Sequence, residues 1–191
     1  MCKVCLTLVV LLGSAGVSCA ADFQRGAAAD KRGDFNTALG EWRPLAEKGN
    51  AQAQFNVGVL YNEGQGVPQD FKTAAKWFKL AAKQGDARAQ LNLGVMHAKG
   101  EGVPQDYKAA LKWYKLSAAQ GNTRAQVILG TMYQVGEGIP QDYKTAAKWY
   151  RLAAEQGDVL AQLNLGVMSS TGVGVPQDYK AAVKWYRLAA K

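Results

Sequence analysis

The chain is 191 residues long, enough for one ordinary domain, and carries a formal net charge of +8. It has three cysteines, Cys2, Cys5 and Cys19, and one histidine, His97. With no histidine pair and no cysteine cluster, a zinc site lacks its ligands.

The first stretch reads as a leader, not as part of the fold. Lys3 supplies a positive charge, Val4 to Leu12 form an apolar run of nine residues, and Gly13 to Ala21 is small and weakly polar. That is the layout of a secretory signal peptide with cleavage after Ala20 or Ala21, and the run falls short of the roughly 20 residues a bilayer span needs. No second apolar segment follows, so no transmembrane segment is expected and the mature chain is expected to be periplasmic or secreted. All three cysteines lie in the leader, which leaves the mature chain without disulfide or thiolate chemistry. Cys19 as a lipid-attachment cysteine is the minor alternative; such signals want leucine three residues earlier, where this chain has Gly16-Val17-Ser18.

Beyond the leader the sequence repeats. Val67-Pro68-Gln69-Asp70 returns as Val103-Pro104-Gln105-Asp106, Ile139-Pro140-Gln141-Asp142 and Val175-Pro176-Gln177-Asp178, each step being 36 residues. Lys76-Trp77-Phe78 returns at the same step as Lys112-Trp113-Tyr114, Lys148-Trp149-Tyr150 and Lys184-Trp185-Tyr186. Four units follow, 50–85, 86–121, 122–157 and 158–191. A degenerate unit, 22–49, precedes them; it keeps Asp34-Phe35 but has Glu41-Trp42 where the others have tryptophan and an aromatic.

Each unit predicts two helices. Asn50, Asp86, Asn122 and Asp158 are placed to N-cap a first helix, A. Helix A ends at a Gly-x-Gly pair, proline forbids continuation, and Asp70, Asp106, Asp142 and Asp178 N-cap a second helix, B. Gly49, Gly85, Gly121 and Gly157 close the helices that precede them. No segment alternates as a strand would. On helix B of the first full unit, Phe71, Ala74, Ala75, Trp77, Phe78, Ala81 and Ala82 fall within roughly 160° of arc, with Lys72, Lys76 and Lys79 on the far side. One such unit cannot bury its apolar arc alone, but a stack can. The expected fold is an all-α solenoid of antiparallel helix-turn-helix repeats.

The pattern Ala-x-Ala-Gln-x-x-Leu-Gly-x-Met-Tyr, then Gly-x-Gly-Val-Pro-Gln-Asp-Tyr-x-x-Ala-x-x-Trp-Tyr-x-x-Ala-Ala-x-Gln-Gly, resembles the Sel-1-like repeat, kin to the tetratricopeptide repeat. The resemblance covers residues 50–191 strongly and 22–49 weakly. It implies a right-handed superhelix with helix A on the concave side, and an adaptor that holds protein partners. A cysteine-rich secreted branch of the family is linked to penicillin binding or β-lactam hydrolysis; its repeats carry cysteine pairs, which these repeats lack.

Little else points to catalysis. His97 occupies the repeat position of Tyr61, Tyr133 and Ser169, as a packing or rim residue would. The repeated aspartates recur because caps recur, and the Gly-x-Gly pairs end helices where a phosphate loop would open one. Trp77, Trp113, Trp149 and Trp185 read as inter-helix packing, with an aromatic ligand platform as the alternative; Trp42 has no clear place.

Two surfaces remain as binding candidates. The first is a basic ridge of three columns on helix B: Lys72, Lys108, Lys144 and Lys180; Lys76, Lys112, Lys148 and Lys184; Lys79, Lys115, Arg151 and Arg187. These 12 are over half of the 22 basic residues left once Lys3 is removed. The ridge is either a solubilising face copied with each duplication or a surface for anionic partners, lipid head groups or acidic proteins; nucleic acid is not expected for an exported chain. The second is the inner stripe of helix A: Gln52, Asn56 and Glu63; Arg88, Asn92 and Lys99; Arg124, Ile128 and Val135; Leu160, Asn164 and Thr171. It changes from unit to unit while the scaffold positions barely change, which is either drift at exposed sites or a partner groove. Asn56, Asn92 and Asn164 suit an extended peptide backbone. The leading expectation is a non-catalytic interaction scaffold without cofactor; the other is a cell-wall or β-lactam-interacting enzyme, implied by the cysteine-rich branch alone.

Overall fold

The computed structural model describes residues 21–191. The leader core, its three cysteines and the bond after Ala20 lie outside or at the edge of them. A helix runs over 21–31 (α1), followed by α2 (Phe35–Glu47), α3 (Ala51–Glu63) and α4 (Phe71–Lys83). Then come α5 (Ala87–Lys99), α6 (Tyr107–Ala119), α7 (Thr123–Val135), α8 (Tyr143–Glu155), α9 (Val159–Thr171) and α10 (Tyr179–Ala189). There is no strand among the described residues. The chain forms two compact units, one ending at Asp86 and one covering Ala87–Lys191. In the first, α2, α3 and α4 pack in succession; in the second, each of α5 to α10 packs on the next, so that three hairpins form layers. This is the all-α repeat architecture implied by the 36-residue period.

The hairpin turn uses both the glutamine and the aspartate of the Pro-Gln-Asp signature. Helix α3 ends where Gly64 turns left-handed (φ 71°), as Gly136 and Gly172 do after α7 and α9. The glutamine then folds back: Nε2 of Gln69 donates to the carbonyl of Asn62 at 2.8 Å, and Gln141 to that of Gln134 at 2.7 Å. It thereby satisfies one of the carbonyls a helix leaves without partners at its C-terminus. The aspartate starts the next helix, Asp70 Oδ1 accepting from the Thr73 amide at 3.0 Å and Asp106 Oδ1 from those of Lys108 and Ala109. Helix A is capped as expected by Asn50, Asn122 and Asp158.

Within a hairpin the two helices meet on a glycine. Phe78 and Tyr150, each 1% exposed, and Tyr114, 3% exposed, lie against Gly58, Gly130 and Gly94 of the facing helix A. A Cβ on Gly130 would stand 2.6 Å from Cδ1 and Cε1 of Tyr150. Around this contact the alanines, Ala53, Ala74 and Ala81 or Ala125, Ala146 and Ala153, are sealed from solvent. The tryptophans do not fill the core. Trp77, Trp149 and Trp185 are half-buried and lean on its edge; the next aromatic in sequence goes inside at Phe78 and Tyr150, whereas Tyr186 in the last hairpin is 38% exposed. Trp42 does reach the core, 3% exposed, stacking on Phe23 and donating from its indole to the Phe23 carbonyl. It locks α1 onto α2, the role for which the degenerate unit departs from the pattern.

A buried glutamine joins consecutive hairpins. Gln54, Gln126 and Gln162 donate from Nε2 to the last-turn carbonyls of Ala46, Ala118 and Ala154, at 3.0, 3.2 and 3.1 Å. The Oε1 atoms of Gln54, Gln90 and Gln126 accept from Gln84, Gln120 and Gln156 at 2.7 to 2.8 Å. The Oε1 of Gln162 is buried without a partner.

Two stability measurements test this packing. Gly130→Ala should destabilise by about 1–3 kcal/mol through overpacking, although alanine is the better helix former by ~1 kcal/mol. Combining it with Tyr150→Leu should recover part of that loss in urea denaturation, and strict additivity of the pair would refute the contact. Gln126→Leu removes both side-chain hydrogen bonds of a buried amide and should cost about 1–3 kcal/mol. Gln162→Leu should cost less, because its oxygen has no bond to lose.

Candidate functional site

The sequence-predicted stripe residues lie along one side of the helix A elements. In the first unit Gln52 and Glu63 of α3 are exposed and Asn56 is half-buried. In the second, Arg88 and Lys99 stand exposed on α5 with Asn92 half-buried between them. Arg124 and Val135 are exposed on α7 around half-buried Ile128, and Leu160 and Thr171 on α9 around Asn164. Within this unit the stripe therefore passes from cationic on α5 to apolar at Val135 and Leu160, which are 64% and 54% exposed. Lys99 Nζ sits 3.6 Å from Glu101, and Asn164 Nδ2 donates to its own helix at the Leu160 carbonyl, 3.0 Å away.

Tyrosine hydroxyls reach this side from the core. The Tyr150 hydroxyl donates to Gln134 Oε1 at 2.6 Å and lies 3.1 Å from Thr131 Oγ1, so the ring on Gly130 is anchored at its far end on α7. Burial pushes the Tyr150 phenol above its ordinary value. That of Tyr114 is pushed up to about 12, chiefly by burial, then by the negative charge of Glu137, with Arg124 opposing.

The ridge also stands where the sequence places it. All twelve cations, from Lys72, Lys76 and Lys79 on α4 to Lys180, Lys184 and Arg187 on α10, are exposed. A feature absent from the sequence reading runs beside them: Leu80, Leu116 and Leu152 are 45%, 42% and 45% exposed. A complete helical wheel carries the signal, since Leu80 falls on the lysine side of the apolar arc. In the second unit, adjacent stripes share clefts. One of about 350 Å³ between α6 and α8 is lined by Lys115, Tyr133, Thr145, Lys148, Trp149 and Leu152. Another of about 510 Å³ between α8 and α10 includes Arg151, Glu155, Lys184, Trp185 and Leu188.

Three aspartates serve the fold as helix caps. The carboxylates of Asp34, Asp70 and Asp142 are held below the usual range, first by a side-chain hydrogen bond from the threonine three residues on. That is the signature of a cap. His97 is half-buried with Nδ1 shut away from solvent and without a hydrogen-bond partner. No group of histidine, cysteine, aspartate or glutamate is arranged to hold a metal among the described residues. No described helix is long and apolar enough to cross a membrane.

The sequence model of the Sel1 repeat matches residues 51–86, 87–122, 123–158 and 159–191. The chain belongs to the Sel1 repeat family. Sel1 repeat proteins generally mediate protein–protein interactions. Among solved structures it is similar to a protective antigen present in uropathogenic Escherichia coli strains and displaying an SLR fold, with a TM-score of 0.87 and 36% identity. That match covers 93% of this chain and 39% of the antigen, so the chain spans about two fifths of that relative. It is similar as well to a Sel1 repeat protein from Oxalobacter formigenes, with a TM-score of 0.80 and 34% identity over 90% of this chain and 70% of that one. Cysteine rich protein B of Helicobacter pylori shares the fold at 23% identity and a TM-score of 0.50, over 64% of this chain and 87% of that one, and brings no activity with it. No curated protein matches in sequence.

The buried tyrosines of these Sel1 repeats give an alkaline test. A phenol whose folded pKa is raised contributes stability that is complete below its unfolded value, about 10, and is lost as pH rises through the folded one. Stability should thus fall between about pH 10 and pH 12. Tyr114→Phe should flatten that fall; an unchanged profile in urea titrations at each pH would contradict the assignment.

Proposed function

We propose that this Sel1 repeat chain is a non-catalytic scaffold that binds an extended peptide segment of a protein partner along the exposed stripe of helix A. One observation carries the reading: the side chains of this stripe differ between hairpins whose buried residues are nearly the same. In the second unit Arg88, Lys99 and Arg124 supply cations, and Ile128, Val135 and Leu160 supply apolar contacts. A segment with acidic residues followed by apolar ones complements that order. Asn92 and Asn164 offer amides to its backbone, Asn164 by exchanging its bond to the Leu160 carbonyl. Gln52, Asn56 and Glu63 form a polar counterpart in the first unit. The apolar run Val4–Leu12 followed by small residues supports placing this scaffold outside the cytoplasm, in the periplasm or secreted.

Selection from a displayed peptide library tests the proposal. Peptides enriched on the wild-type protein should carry an acidic-then-apolar pattern. The variant Arg88→Glu, Lys99→Glu, Arg124→Glu should release them at least ~10-fold faster, since loss of short-range contacts appears in the off-rate. The matched reversal Lys112→Glu, Lys148→Glu, Lys184→Glu should leave that rate nearly unchanged. Circular dichroism controls for folding. Binding lost with the second variant and kept by the first would move the site to the ridge, and nitrocefin turnover by the purified chain would replace a scaffold with an enzyme.

A further inference from the structure

We infer that the helix B face of the second unit is a docking surface for an anionic phospholipid bilayer. The stripes of α6, α8 and α10 place nine exposed cations on one face, and none of them forms an ion pair among the described residues. Neighbouring stripes share their clefts, so they face one way. Lys115 and Lys148 rim the cleft between α6 and α8, and Arg151 and Lys184 rim its counterpart between α8 and α10. The lining of each cleft includes one tryptophan and one leucine, Trp149 with Leu152 and Trp185 with Leu188. The second also contains a carboxylate, Glu155.

Two features identify the partner. First, this face is uniform: lysine or arginine, leucine and tryptophan return at the same places in every hairpin, so it holds no information for reading a unique sequence. A repeating surface fits a repeating ligand. Second, leucines exposed by more than two fifths stand among the cations. Against a soluble polyanion such leucines would gain nothing. At a membrane interface, cations meet the phosphates while leucine and tryptophan enter the boundary below them.

Vesicle binding by the full chain tests this, read by quenching of tryptophan emission with brominated acyl chains. The segment 1–20 contains no tryptophan, so the signal reports on the repeats. Vesicles of phosphatidylglycerol in brominated phosphatidylcholine should quench, and brominated phosphatidylcholine alone should not. Lys115→Gln, Lys148→Gln, Lys184→Gln removes three charges and should weaken partitioning roughly 100-fold. Leu116→Asn, Leu152→Asn leaves charge unchanged and should weaken it roughly 10-fold. All these side chains are exposed, so both variants should keep the wild-type circular dichroism. Absence of quenching, or binding unchanged by the charge variant, overturns the proposal. So does displacement by polyphosphate or polyglutamate with the leucine variant binding as wild type, which would assign the face to a soluble polyanion or an acidic protein instead.

Discussion

The hairpin depends on one close approach, a helix B aromatic ring lying on a glycine of helix A. The missing Cβ sets how near the two axes come, and the other contacts follow from that spacing. Alanines suffice around the ring because leucines in their places would push the helices apart. A packed interior has no slack to absorb even one extra methylene. The cost is a glycine in mid-helix, roughly 1 kcal/mol of propensity, which burial of a whole phenyl or phenol ring exceeds several-fold.

Hydrophobic contact alone would let one hairpin slide on the next. The buried glutamines prevent this by direction. Gln54 and Gln126 each reach a carbonyl at the end of the preceding helix and receive an amide from the end of their own helix B, so an error in register would break both bonds at once. Specificity of stacking rests on an amide with two determined partners, and the alanines need only be small.

The period, proline stops and aspartate caps made the fold legible without coordinates, because each is a local rule. What escaped was anything requiring knowledge of what lies opposite. The glycine of Leu-Gly-x-Met-Tyr looks like a helix defect until Tyr150 is seen upon it. The glutamine of Pro-Gln-Asp looks like filler until its amide is traced back to helix A. Adjacent aromatics in Trp-Tyr could not be ranked by periodicity, since they point 100° apart and both border the apolar arc. The stripe and ridge positions were legible as exposed because they are what remains when packing positions are removed. The leucines among the lysines were missed because leucine was expected inside.

The two faces of the hairpins differ in kind. Helix A presents a set of exposed side chains that changes from hairpin to hairpin, and helix B of the four full repeats presents nearly the same set each time. A surface that varies can discriminate among partners, whereas a surface that repeats can only measure extent, gaining binding in proportion to the number of hairpins engaged.

The reach of the glutamine bonds has an evolutionary consequence. Every bond that Gln126 makes ends within its own 36-residue unit or in the last turn of the one before. A tandem duplication of thirty-six codons would therefore import its own partners and offer its successor the same carbonyl it had received. The chain can lengthen by copying errors while a copied glutamine of this kind keeps its partners, and selection is left free to rewrite the exposed positions afterwards.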